Sequence, residues 1–514
     1  MLAKINSYAL YGLDGYGVTV EVDIHAGLPS IDVVGLPDAA IKEARERVRS
    51  AVKNSGYDFS PRKITVNLAP AHTKKEGSLF DLAIALGILC ATEQAGVDEN
   101  KKPLPSVGDY VFLGELSLSG GVCKVNGVMP ILIAARERGC KKIVIPSANI
   151  NEAKYIRGID VYAVSTLKEA VELMNGADVP PIEKSDVVIS SGRQCSEDLK
   201  FVKGQYSAKR ALEIAAAGGH NIIMIGPPGG GKTMLAKCLS GILPDMTELE
   251  ALETTKIHSV AGILDETVGI VTERPFRSPH HTASKIALTG GGSAARPGEI
   301  SYAHNGVLFL DELPEYPRNV LEILRQPLED GVITVSRVSR SVEYPADLML
   351  VASMNPCPCG YSGSAAHDCS CTPSQIQKYM SRISGPLLDR IDLHVEVDEV
   401  RYDELSSDVY AESSAAVKER VNAARALQTA RYKGTGVHSN AGMTSVMIKR
   451  YCKLDAAGER ILSSAFDKLG LSARAYTRIL KVARTIADLD GAADISSKHV
   501  AEAVMYRSLD KAVK

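Results

Sequence analysis

The chain has 514 residues, 45% of them hydrophobic, and a formal net charge of −2. That length predicts two to four domains, with apolar residues enough for buried cores. The near-balanced charge means that any basic surface for nucleic acid must be local. The absence of Trp, with only 7 Phe, excludes base stacking as a dominant theme. No run reaches the length of a membrane span, and residues 1–17 lack a basic start followed by an apolar core, so a soluble cytoplasmic protein without membrane partners is expected. Of the 10 cysteines, Cys90, Cys123, Cys140, Cys195, Cys238 and Cys452 are scattered in apolar surroundings and read as inert thiols of a reducing compartment.

In chain order, residues 18–24 alternate like a strand, and residues 37–54 read as a helix rich in Arg and Glu. Residues 64–68 read as a strand, residues 79–91 as a strongly apolar helix, and residues 142–146 as a buried strand. This first region, 1–180, gives way to a polar stretch containing Pro and Ser, 181–196, which reads as a linker. Residues 197–400 alternate strands and helices as a parallel α/β sheet does. Residues 401–514 are helical throughout, with many Ala, Lys and Arg. The expected fold class is multidomain α/β with a helical carboxyl-terminal lid.

The second region holds the most informative stretch. Gly226, Pro227, Pro228, Gly229, Gly230, Gly231, Lys232 and Thr233 fit G-x-x-x-x-G-K-[ST] without a mismatch. An apolar run, 221–225, precedes the motif as a strand, and 234–239 follow with helical character. Glycines let backbone N–H groups turn onto phosphate oxygens, and the helix N-terminus adds a positive dipole end. Lys232 then reaches the outer phosphates, and Thr233 offers a hydroxyl to Mg2+. The pattern predicts binding of a nucleoside triphosphate.

Further along, Gly306-Val-Leu-Phe-Leu-Asp-Glu312 is an apolar strand ending in two carboxylates. Asp311 is placed to hold the Mg2+ shell together with Thr233, and Glu312 to polarise the attacking water. A third strand, 348–355, ends on Asn355, placed to orient water near the γ-phosphate, although Asn is also an ordinary turn former. Between these strands, residues 331–340 alternate apolar and polar, then return at 341–344 as a hairpin. Arg337 and Arg340 lie near its tip, and Lys285 lies in the insertion after His280 and His281. Adjacent His side chains on a strand point opposite ways, so packing or hydrogen-bonding roles are expected for that pair.

Just after Asn355, Cys357-Pro-Cys359 and Cys369-Ser-Cys371 put four thiols within 15 residues. In a reducing compartment this suggests a tetrahedral structural Zn2+ site. The spacing is tighter than the usual C-x₂-C knuckle. His367 can replace one thiol, and a loop of unligated cysteines is the alternative.

These residues together resemble the YifB/ComM family of magnesium-chelatase-like AAA+ ATPases, over nearly the whole length. The most specific pieces are Phe276-Arg-Ser-Pro-His-His-Thr-Ala-Ser284, Asn305-Gly-Val-Leu-Phe-Leu-Asp-Glu-Leu-Pro314, Asn355-Pro-Cys-Pro-Cys-Gly360 and Ile383-Ser-Gly-Pro-Leu-Leu-Asp-Arg-Ile-Asp-Leu-His394. The resemblance implies a ring-forming ATPase using ATP and Mg2+. The better known branch is a hexameric DNA helicase that drives branch migration during recombination of incoming DNA in natural transformation. By the same resemblance Arg390 completes a neighbouring subunit's site, with Arg382 as the alternative, and Arg474 is a second sensor contacting the γ-phosphate in cis. Arg337, Arg340 and Lys285 would then line the pore and meet DNA phosphates, in contacts that carry no sequence preference. A chelatase-type motor that remodels a protein or inserts a metal stays open, because it shares every nucleotide-site residue.

The amino-terminal region resembles the proteolytic domain of Lon-type proteases, an S5-like α/β fold, through Lys75-Glu-Gly-Ser-Leu-Phe-Asp81, Gly114-Glu-Leu-Ser-Leu-Ser-Gly120 and the following segment to residue 146. Leu79 stands where those proteases have the nucleophilic serine, and Met129 where they have the activating lysine. Neither can attack a carbonyl or take a proton, and Ser78 is one position off. An ATP-dependent protease is therefore not expected. The domain reads as a protease fold kept for contacts or assembly.

Overall fold

A computed structural model describes residues 2–98, 104–189, 197–292, 295–337, 340–364, 367–399 and 410–507. The first region is built on strands Leu2–Tyr11 (β1) and Asp14–His25 (β2), paired antiparallel with Leu2 opposite Asp23 and Tyr11 opposite Asp14. The two-residue turn between them uses Gly12 at φ +61°, where a side chain would be strained. Period-two alternation turns Ile5, Val18, Val20 and Val22 inward. Ser30–Val34 (β3), Lys63–Ala69 (β4), Tyr110–Phe112 (β5), Lys142–Pro146 (β8) and Asp160–Val164 (β9) complete a sheet of order β3-β4-β2-β1-β5-β8-β9. Glu115–Leu116 (β6) and Val122–Cys123 (β7) form a small separate pair.

β1 carries no signal in the sequence reading, yet it joins the antiparallel half of the sheet to the parallel half by pairing with both β2 and β5. The helix expected from residue 79 starts at Asp81 instead. Leu79 and Leu82 bracket Gly114 through backbone hydrogen bonds of 3.0 Å each, which holds Leu79 outside the helix. The helix Asp81–Ala91 is apolar all round and almost wholly buried, as such a helix must be. The start of the expected linker is not a free tether. Ile182 N–H bonds to Val161 O at 2.8 Å, and Ser185 N–H bonds to Lys154 O at 3.0 Å. Residues 190–196, with Cys195, lie outside the described residues.

The second sheet contains Ile222–Ile225 (β10), Phe276–Arg277 (β11), Val307–Leu310 (β12), Met349–Met354 (β15) and Leu393–Glu396 (β16). Its order is β11-β12-β15-β10-β16, and every pair is parallel. Parallel strands covered on both faces read as continuous apolar runs, which is why the sequence shows them so plainly. Val332–Arg337 (β13) and Arg340–Pro345 (β14) form the expected hairpin between β12 and β15. The register pairs Ile225 with Met354 and Leu310 with Ala352. Gly226, Asp311 and Asn355 therefore emerge together at the carboxyl edge, where parallel α/β sheets bind ligands.

The last described segment is helical, from Ser414–Arg431 to Ser497–Met505. Ile479, Ala483 and Ile486 share one core with Ile222, Met224 and Leu393, so these helices pack directly onto the flank of the sheet. A buried ionic bond between Arg478 and Asp392 ties helix Ala473–Leu489 to the strand β16 side. Burial opposes the Asp392 charge, but Arg478 and His220 hold its carboxyl far below the usual range. No helix among the described residues is long and apolar enough to cross a membrane.

Candidate active site

β10 ends at Ile225, and the chain wraps through the glycine-rich loop into helix Lys232–Leu239. Gly229 and Gly231 take φ of +79° and +83°, the left-handed region open to glycine. Gly226 is needed for space instead, since a Cβ there would lie 2.1 Å from Val397 O. Lys232 is buried and its Nζ donates to Gly226 O at 2.7 Å, Pro227 O at 2.8 Å and Asn355 Oδ1 at 3.1 Å. Burial lowers its pKa, and Asp311 and Glu312 pull the other way. All three partners are oxygens, so phosphate oxygens can take their place.

Thr233 Oγ1 donates to Asp311 Oδ2 at 2.9 Å. A hydroxyl and a carboxylate side by side are hard oxygen donors, and they fit Mg2+. Asp311 Oδ1 accepts from Glu312 N–H at 3.0 Å and from the Ser353 hydroxyl. Ser353 escaped the sequence reading. Its signal is a fully buried hydroxyl in the otherwise apolar β15, one register step beyond the Leu310–Ala352 pair.

Glu312 sits at φ +52°, uncommon for a residue with a side chain. Its carboxylate projects into solvent with His281 Nδ1 at 3.6 Å. The histidine pair departs from expectation because β11 stops at Arg277. Off the strand, His280 and His281 lie with ring centroids 4.1 Å apart rather than on opposite sides. His280 Nδ1 pairs with Thr282 Oγ1 at 2.9 Å.

Asn355, Lys232, Thr233, Asp311 and Glu312 thus come together. The arginines do not join them. Arg390 is buried in its own chain, donating to Pro386 O at 2.7 Å and to the Glu329 carboxylate. Arg474 Nη2 reaches the other oxygen of Glu329 at 3.4 Å. Glu329, also missed in the sequence, therefore joins both arginines. Arg382 binds Glu315 at 3.0 Å and remains half exposed.

The four cysteines also converge. Cys357 Sγ lies 3.3 Å from Cys359 Sγ and 3.7 Å from Cys369 Sγ, and Cys359 and Cys369 are 3.6 Å apart. All four sulfurs, Cys371 included, lie within 4.8 Å of one another. A tetrahedron with Zn–S bonds of about 2.3 Å has edges of roughly 3.8 Å, so the set fits a zinc ion. The Cys359 thiol is pulled down to about 5, first by the Tyr361 backbone N–H and then by Cys357. His367 packs its ring on Tyr361, at 4.8 Å between centroids.

Comparison with known proteins bears directly on this assembly. Three family descriptions match in turn: "Subunit ChlI of Mg-chelatase" over residues 20–149, "Magnesium chelatase, subunit ChlI" over 198–405 and "Magnesium chelatase, subunit ChlI C-terminal" over 411–507. The chain is 45% identical to competence protein ComM of Haemophilus influenzae, covering 99% of this chain and 98% of that protein. It is 44% identical to protein YifB of Escherichia coli with the same coverage. The chain belongs to the YifB/ComM family of magnesium-chelatase-like AAA+ ATPases. A more distant similarity, 27% identity over 37% of this chain, links it to Lon protease 2 of Bacillus subtilis.

In this YifB/ComM member Leu79 and Met129 are both buried apolar residues of the first core. Ser78 bonds to the Glu115 carboxylate, and the Lys75 ammonium donates to Gly35 O at 3.3 Å and to Pro70 O. Arg337 and Arg340 face each other as the last register pair of the β13–β14 hairpin. Val338 and Ser339 lie outside the described residues. Val335 and Val342 are buried beneath the hairpin. Lys285 is exposed at the start of helix Lys285–Thr289, which is capped by Ser284.

Proposed function

We propose that this chain is a cytoplasmic, ring-forming DNA motor, a hexameric helicase that hydrolyses ATP to promote branch migration as incoming DNA recombines. The observation that carries the reading is the meeting of Lys232, Thr233, Asp311, Glu312 and Asn355 at one sheet edge, with an arginine-bearing hairpin inserted between two of the strands that supply them. The name "competence protein", carried by a relative over 99% of this chain, supports uptake-linked DNA as the substrate.

In this reading residues 1–180 form a protease-like domain without proteolysis, 181–196 a connection, 197–400 the ATPase core and 401–514 the lid. Bound Mg2+, held by Thr233 and Asp311, would neutralise charge on the β- and γ-phosphates. Lys232 trades its three oxygen partners for phosphate oxygens. Glu312, solvent-facing, takes the proton of the attacking water, and Asn355 orients that water. Arg390 acts in trans at a neighbour's γ-phosphate and Arg474 acts in cis. A zinc ion in the four-cysteine loop is a structural cofactor. Arg337, Arg340 and Lys285 grip single-stranded or branched DNA through phosphates.

The family descriptions favour one rival, a chelatase-type motor acting on a protein or a metal. ATPase rates with single-stranded, duplex and branched DNA separate the two. The DNA motor is stimulated most by the branched form. Converting Arg337 and Arg340 to Ala keeps basal turnover but flattens the log–log salt dependence of DNA binding, by roughly 0.7–0.9 per lost phosphate contact. A wild-type chain that neither binds DNA nor responds to it gives the chelatase reading the lead.

A further inference from the structure

We infer that the loop from Cys357 to Cys371 is a zinc-closed brace behind the phosphate loop, so that metal occupancy sets how tightly the chain grips nucleotide. This rests on the ATPase reading above and adds a means of regulating that same site.

The loop has little to hold it by itself. Of its described residues only Cys357 and Gly360 are buried, and most others are partly or fully exposed. A polar 15-residue loop without a core must have its closure entropy offset by something other than burial. Four thiols at tetrahedral spacing supply that something, since metal binding free energy becomes folding free energy. An all-sulfur tetrahedral set selects zinc over the hard cations. None of the four is in a disulfide.

The brace touches the nucleotide site at three points. Its leading end is Asn355, which bonds Lys232. Its turn is Gly360, at φ +90°, pressed so closely on the phosphate loop that a Cβ would lie 2.7 Å from Pro228 Cδ. Its middle is pinned by Ser364 Oγ, which donates to Glu399 Oε1 at 2.7 Å. Glu399 lies two residues after Val397, whose carbonyl backs Gly226. The trailing end continues directly into helix Pro373–Met380, started by a capping box of Thr372 and Gln375. That helix carries the buried Tyr379, whose phenol feels the Asn355 backbone as a pull against the effect of burial. The strand end before the loop and the helix after it are therefore brought near each other, and the metal clamps what lies between.

The experiment uses the full chain purified without chelator. Elemental analysis should find about one zinc per chain, and Cys357→Ser and Cys369→Ser should each lose it. Cys371→His should retain it, because Cys₃His is an ordinary zinc ligand set. Affinity for a fluorescent ATP analogue, read without DNA, should fall about tenfold or more on zinc removal and return when zinc is added back. Gly360→Ala should keep its zinc yet lose affinity, since it disturbs the contact with Pro228 and not the ligands. Iron in place of zinc, or no metal, overturns the inference. So does a zinc-stripped chain with unchanged circular dichroism that binds the analogue like wild type, and so does a Gly360→Ala chain of unaltered affinity. None of these outcomes bears on the DNA reading. Loss of every DNA response with zinc and nucleotide affinity intact would sink that reading alone.

Discussion

Two lysines invite comparison. In the first region Lys75 is fully buried and donates to the carbonyls of Gly35 and Pro70. In the second, Lys232 is nearly as buried and donates to the carbonyls of Gly226 and Pro227. Burial lowers the pKa of both. What differs is their company. No acid offsets the desolvation of Lys75, and Ser78, three residues on, is already taken by Glu115. Around Lys232 stand Asn355, Asp311 and Glu312, and the two acids pull its pKa back. A buried ammonium held by backbone carbonyls is a structural device in either place. It becomes part of a reaction only where oxyanions and water can arrive.

The largest effects should fall on the second lysine's neighbourhood. Lys232→Ala should abolish nucleotide binding or turnover. Glu312→Gln should keep ATP bound while slowing hydrolysis by about 10²–10⁴-fold, the usual worth of a general base. A binding assay beside a phosphate-release assay distinguishes the two, and equal turnover in Glu312→Gln and wild type removes that residue from the mechanism.

Next comes the contribution between subunits. Arg390→Ala should bind ATP normally yet fail to hydrolyse it. Mixed with Lys232→Ala, it should regain part of the activity, since each supplies what the other lacks. No recovery under conditions of proven subunit exchange argues against action in trans.

A smaller effect belongs to the first region and is read as a pH dependence. Asp81 is buried against Arg47, and burial wins, raising its pKa to about 6. The folded pKa exceeds the unfolded value of about 3.9, so its stabilising contribution is present below that value and is lost as pH rises through about 6. From pH 4 to 6 wild type should lose up to about 3 kcal/mol relative to Asp81→Asn, at about 1.4 kcal/mol per unit. Urea titrations of the pair at each pH measure the difference, and parallel curves contradict the assignment.

Smallest is Lys75→Met. It strands two carbonyls and should cost about 1–3 kcal/mol of stability, with ATP turnover of the folded chain unchanged. A loss of turnover at 25 °C without loss of stability would mean that the first lysine also serves the reaction.

What the sequence shows of this molecule follows from how far its signals reach along the chain. The phosphate loop, the strand that leads into Asp311 and the β13–β14 hairpin are legible because each pattern lies within one short stretch of chain. Four cysteines within 15 residues are legible for the same reason. Ser353 and Glu329 are not, because they act on partners 42, 61 and 145 residues away. The role of β1 as pivot depends on pairing with Val111, far along the chain, which no local alternation announces. The histidine pair misleads because a strand was assumed where β11 has already ended. The stretch before residue 190 misleads because polar composition says nothing of hydrogen bonds to Val161 and Lys154.

Glu329 has one further consequence. A single carboxylate cannot fully neutralise two guanidiniums, so the spot between Arg390 and Arg474 keeps a residual positive charge. Withdrawing either arginine leaves the carboxylate wholly to its rival and tightens that remaining bond. Arg474 is more than half exposed and meets the carboxylate at 3.4 Å, while Arg390 is buried. Through Glu329 the start of helix Ala473–Leu489 is thus tied to the buried Arg390, so a change at either arginine is felt by the other.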